Sequence, residues 1–128
     1  MRLVSLTAAA LALAVAVAAA PSIVFAHPKL VNAMPAVNAT VGKANAISLT
    51  FSEDLVGPLS GVDLVMTGMP GMADHKPMPI KGITAKANGK ILSVALPRPL
   101  PTGSYMLSWH AVAADQHRVE GSYTFTVR

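Results

Sequence analysis

The chain has 128 residues, 52% of them hydrophobic, with ten Lys/Arg against six Asp/Glu and no cysteine. Disulfide frameworks, thiolate metal sites and cysteine nucleophiles are therefore excluded, and packing alone must hold the fold together. The basic residues of the region after residue 26 stand singly (Lys29, Lys43, Lys76, Lys81, Lys86, Lys90, Arg98, Arg118, Arg128) with no aromatic interleaving. That pattern does not build a nucleic-acid surface.

Residues 1–26 read as a cleaved secretory signal. Arg2 supplies the positive region, Leu3 to Ala20 the apolar run, and Val24-Phe25-Ala26 a small-x-small cleavage pattern. The alanine-rich run is weakly hydrophobic and Pro21 interrupts it, which favours cleavage over a transmembrane anchor. Residues 27–128 then form a single exported domain, and no other run in them is long enough to insert in a membrane.

Cleavage after Ala26 would make His27 the first residue. A terminal histidine offers its α-amine and imidazole Nδ1 to one metal ion, closing a six-membered chelate ring. Pro28 has no backbone N–H to deprotonate, so further ligands must come from elsewhere in the fold.

Beyond this point short alternating segments follow one another: Ala46 to Phe51, Val62 to Met66, Ile91 to Leu96, Gly103 to His110 and Ser122 to Val127. Turn residues separate them, namely Gly57-Pro58, Asn88-Gly89, the Pro97 to Pro101 run and Thr102-Gly103. Asn88-Gly89 marks a hairpin between Ile83-Thr84 and Ile91-Leu92. Six or seven strands at roughly 8 to 15 residue spacing, with no convincing helix, predict an all-β fold, a small Greek-key β-sandwich or barrel. Tyr105, Leu107 and Trp109 share one strand face, and Tyr123, Phe125 and Val127 another; both are expected in the core. Met34 and Met106 are expected at the core or its rim.

Residues 66 to 78, MTGMPGMADHKPM, gather Met66, Met69, Met72, Met78 and His75. The i, i+3 spacing of the first three would make an apolar stripe on a helix. Gly68, Pro70 and Gly71 lie between them, and would cost a helix roughly 5 kcal/mol relative to alanine. The methionines are therefore expected in a loop. Thioether sulfur is a soft, uncharged donor suited to Cu(I), and the competing reading is a promiscuous hydrophobic docking surface.

Asp115-Gln116-His117 is a second candidate cluster. If the segment is extended, Asp115 and His117 fall on one side and offer a carboxylate and an imidazole to one ion. Together with the His27 chelate they make a nitrogen and oxygen set suited to Cu(II). Taken alone, the same three residues read as an ordinary polar loop. Strand alternation places His110 opposite Trp109 and away from this set. Trp109, the only tryptophan, is expected to pack near the Cu(II) site.

The opening His27-Pro28, the segment LTFSEDL (Leu49 to Leu55), the methionine stretch and LPTGSYMLSWHAVAADQHRVEGSYTFTV (Leu100 to Val127) together resemble the CopC family of periplasmic copper-resistance proteins. The resemblance implies an immunoglobulin-like or cupredoxin-like sandwich that binds copper without catalysis, in the periplasm. It implies a Cu(II) site on His27, Asp115 and His117, with Glu53 as a possible additional carboxylate. It also implies a Cu(I) site among Met66, Met69, Met72, Met78 and His75, and partners such as an inner-membrane copper transporter or a multicopper oxidase. Two positions depart from the family pattern: Gln116 stands where glycine is frequent and Arg118 where proline is.

A histidine-brace copper monooxygenase is the alternative from another class, since those enzymes also chelate copper through a terminal histidine on a β-sandwich. The small domain, the carboxylate at Asp115 and the lack of an evident aromatic platform for sugar argue against it. A purely structural β-sandwich is the third reading and predicts no tight metal binding.

Overall fold

The computed structural model describes residues 27–72 and 76–128. The expected signal segment and His75 lie outside the described residues. Nine strands are present among them: β1 Leu30–Met34, β2 Thr40–Val41, β3 Ala46–Phe51, β4 Gly61–Gly68, β5 Met78–Pro79, β6 Thr84–Asn88, β7 Ile91–Ala95, β8 Gly103–Val112 and β9 Arg118–Val127. One 3-10 turn, Gly57–Leu59, is the only helical segment described. No helix among the described residues is long and apolar enough to cross a membrane.

The strands form a four-stranded sheet in the order β1-β3-β7-β6 and a five-stranded sheet in the order β2-β9-β8-β4-β5. All neighbours are antiparallel except β2 on β9. The chain passes from one sheet to the other before β2, β3, β4, β6 and β8, so that the strands of the two sheets are interleaved along the sequence. This is the expected all-β sandwich.

Alternation explains the core. In β8, Tyr105, Leu107, Trp109 and Ala111 point inward and are buried, while Ser104, Met106, Ser108 and His110 point outward. Tyr123, Phe125 and Val127 of β9 and Ile47, Leu49 and Phe51 of β3 complete the packing, with Phe51 edge-on to Trp109 at 5.0 Å between ring centroids. Directly across from Trp109 stands Gly121, and a Cβ there would overlap the indole, so only glycine lets the ring lie flat over β9. The two buried phenols keep partners: Tyr105 donates to the Pro101 carbonyl, and Tyr123 to that of Pro35 at 3.0 Å. Burial raises both phenol pKa values, that of Tyr123 to about 12.

Several sequence expectations shift. The β6–β7 hairpin is present, but Asn88 pairs with Ile91 and the chain reverses through Gly89 and Lys90, one residue later than the Asn88-Gly89 turn expected. Fixing the shift are the FSEDL residues, whose Phe51 and Leu55 amides donate to the carbonyls of Lys90 and Gly89. Strands β1, β2 and β5 carry no strong alternation and were not expected. Met34, expected at the core or rim, is 65% exposed on β1, at the free edge of its sheet.

Candidate metal centre

Two ends of the sandwich matter. Phe51, Ile91, Gly61, Val112 and Arg118 lie at one end, and Ala46, Ala95, Gly68, Gly103 and Val127 at the other. His27 belongs to the first. Pro28 is fully buried, the Lys29 amide donates to Ser52 Oγ at 2.9 Å and the Ser52 amide donates to the Lys29 carbonyl at 2.9 Å. These two bonds latch the residues after His27 onto the chain leaving β3. Ser52 was not a sequence candidate, because nothing in its spacing marks it; only the pairing reveals its role.

The other two members come from the β8–β9 connection. The segment is a tight turn rather than the extended stretch on which the pairing of Asp115 with His117 was made conditional, and Asp115 caps it as the polar-loop reading has it. Gln116 N–H donates to the Ala113 carbonyl at 2.9 Å, and Gln116 has φ of +64°. The side chain of Asp115 completes an Asx turn, its Oδ1 accepting from the His117 amide at 3.1 Å. Asp115 and His117 therefore meet through turn chemistry rather than strand alternation. Gln116 thus holds a left-handed backbone that glycine would adopt at less cost.

Asp115 Oδ2 accepts from His27 Nδ1 at 2.7 Å and from His117 Nδ1 at 3.3 Å. The imidazoles meet edge-on, with centroids 4.8 Å apart and planes at 86°. One ligand atom from each of the three residues lies within 4.8 Å of the others. The carboxylate is only 8% exposed, while the two imidazoles are 58% and 71% exposed. Burial pushes the Asp115 carboxyl upward, but the His117 amide and the two imidazoles outweigh it, and its pKa lies below the ordinary value. Asp115 is thus a shielded anion between two open nitrogen donors. Glu53 is half-buried beside Ser52 and is not one of the three. His110 lies on the outer face of β8, between Gly61 and Glu120.

The methionines sit at the opposite end. Met69 and Met72 exchange two backbone hydrogen bonds of 2.9 Å around Pro70-Gly71, with φ of +80° at Gly71. Proline followed by glycine in the left-handed region is what a type II turn requires. Met69 is half-buried, Met72 is 56% exposed and Met78 48% exposed. Met66 departs from the expectation that all four share a loop. It lies in β4, opposite Tyr105 on one side and Met78 on the other, and is only 5% exposed, because the β4 alternation runs on to Gly68 and turns this side chain inward. Strand β8 alone, at about 3.3 Å per residue, puts roughly 30 Å between the two ends.

Comparison with known proteins agrees with this architecture. The chain is 48% identical over 105 residues to copper resistance protein C of Xanthomonas campestris pv. juglandis, covering 81% of this chain and 82% of the relative. It is 43% identical over 104 residues to copper resistance protein C of Escherichia coli, covering 80% and 82%. The crystal structure of PcoC, a methionine-rich copper resistance protein from Escherichia coli, superposes with a TM-score of 0.72 at 39% identity, covering 80% of this chain and all of that one. The family model of the CopC domain matches residues 30–128, and the chain belongs to the CopC family.

Proposed function

We propose that this protein is an exported copper carrier, acting in the periplasm in copper resistance, that holds Cu(II) at His27, Asp115 and His117 and Cu(I) among the methionines of the β4–β5 connection. The gathering of three donor atoms within 4.8 Å carries the reading. Two imidazole nitrogens and a carboxylate oxygen suit Cu(II), whereas thioethers suit Cu(I), so the oxidation state decides which end fills. The names of the relatives, copper resistance protein C, point the same way.

The hydrogen bonds indicate how the Cu(II) end would load. Asp115 Oδ2 lies within hydrogen-bond reach of both Nδ1 atoms, and an ion placed among these atoms would take those nitrogens, each neutral imidazole then carrying its one proton on Nε2. Protons compete for the same donors, so loading weakens as pH falls. Removal of residues 1–26 would add the His27 amine as a further donor. At the other end Met69, Met72 and Met78 can present sulfur without repacking, with His75 as the nitrogen donor. Met66 would have to leave the core. The carrier reading asks no chemistry of the ion, and the receiving partner is an inner-membrane copper transporter or a multicopper oxidase.

The test is a Cu(II) titration followed by EPR, on protein beginning at His27 and on protein with one residue added before it. The expected result is one-to-one binding with a tetragonal, nitrogen-rich spectrum, weakened about 100-fold or more by the extension, beyond what loss of an outer-shell partner gives. Equal binding by both forms would remove the terminal chelate. Peroxide production by the copper-loaded protein would favour the monooxygenase alternative instead.

A further inference from the structure

The described acidic residues are unevenly placed. The five described acidic residues are Glu53 and Asp54 after β3, Asp63 near the start of β4, Asp115, and Glu120 near the start of β9; all lie toward the His27 end. Lys43, Lys81, Arg98 and Arg128 lie toward the methionine end, where the sequence between Met72 and Met78 also carries Asp74 and Lys76. Lys81 and Arg98 form no ion pair or side-chain hydrogen bond among the described residues, whereas Arg118 pairs with Glu120 at 2.7 Å. Lys81 and Arg98, two cations without a carboxylate partner, raise the potential around them and favour an anionic partner.

Lys81 and Arg98 also share a shaped surface. They flank a groove of about 460 Å³ between the segment leaving β5 and the proline run before β8. Both walls are fixed to the sandwich, since Ile80 N–H donates to the Leu64 carbonyl at 2.8 Å and Leu100 N–H to the Ala44 carbonyl at 3.0 Å. Pro79, Pro97, Pro99 and Pro101 line the walls. Having no N–H, these residues cannot hold a visiting chain by strand addition. Recognition there must rest on apolar contact with the walls and on the two cations, whose natural partners are carboxylates.

We propose that this groove docks an extended acidic segment of a partner protein. The groove begins at Pro79, the residue after the exposed Met78, so a partner seated in it would lie beside the thioethers. The inference rests on the copper-carrier reading for its purpose, which is to bring an acceptor to the soft site, but not for the docking itself. A groove with fixed walls fits a polypeptide better than a flat lipid surface.

The test uses copper-free protein and a short fluorescent peptide alternating glutamate with leucine, read by anisotropy and by amide shifts in NMR spectra. Expected are saturable binding that weakens with salt, shifts confined to residues 78–81 and 96–103, and a loss of about tenfold or more in affinity for Lys81→Glu/Arg98→Glu. Lys86→Glu/Lys90→Glu carries the same change in net charge and is expected to bind within about twofold of wild type. The mapping on wild type keeps the test decisive if a variant fails to fold. Equal loss in both double variants, equal binding of the glutamine version of the peptide, shifts elsewhere, or binding only to phosphatidylglycerol vesicles would overturn the proposal. Cu(I) titration of Lys81→Glu/Arg98→Glu separates the two readings: retained copper with lost peptide supports docking, whereas peptide binding by a protein that takes up no copper would sink the carrier and leave the groove.

Discussion

The two ends of the sandwich are built on opposite plans. At the His27 end a shielded carboxylate is held by an Asx turn and bridges two imidazoles, with every contact already made. At the methionine end a two-residue turn presents thioethers to solvent, and the described residues place no charge-bearing ligand among them. Charged and strongly polar donors must be organised in advance, because leaving a shielded carboxylate unpaired is costly. Thioethers carry no such penalty and can remain loose until an ion gathers them.

The sharpest way to break this contrast is at Met66 and Met72. Met66→Ala should lower stability by about 2–5 kcal/mol, as for other buried methionines. Met72→Ala should change stability by less than about 0.5 kcal/mol while weakening Cu(I) binding. Urea unfolding and a Cu(I) competition titration check both, and the reverse ranking would return Met66 to the ligand set. At the other end, Asp115→Asn keeps the shape and removes the anion. Cu(II) affinity should fall about 10- to 100-fold with Cu(I) affinity unchanged; parallel losses would mean that the ends are not independent.

Gln116→Gly probes the turn itself. Relief of the left-handed backbone, offset by the greater freedom of glycine in the unfolded chain, should raise stability by about 0.5–1 kcal/mol. A loss on thermal unfolding would show that the glutamine side chain stabilises the turn. The smallest effect concerns acid. Because the folded Asp115 pKa lies below the ordinary 3.8, its contribution is complete above about pH 4 and is lost as pH falls through the lowered value. The stability difference between wild type and Asp115→Asn should therefore shrink on acidification below about pH 4, and a difference that grew would reverse the assignment.

The sequence was most legible where period-2 alternation is strong. The segment Ala46–Phe51 was bounded as observed, and the inward faces of β8 and β9 were read correctly. Strands β2 and β5, two residues each, are too short for any period, and β1 is an edge strand with one buried residue. Chemistry at the candidate site was legible as residue types, but not as geometry. His27 and Asp115 are 88 positions apart, and their meeting depends on Ser52 and on a left-handed Gln116, neither of which spacing announces. Met66 was read twice, as the last residue of the alternating Val62–Met66 segment and as the first of the loop methionines; the strand reading holds, and the β4 alternation continues for two residues beyond it.

The ten-residue β8–β9 pair that separates the ends has a kinetic consequence. A distance of about 30 Å across a packed core offers an ion no internal path. If oxidation moves copper from sulfur to nitrogen, the ion must leave one end and arrive at the other through solvent or on a second molecule. Transfer by direct encounter would then be second order, its rate constant independent of concentration but its half-time shortening as the protein becomes more concentrated.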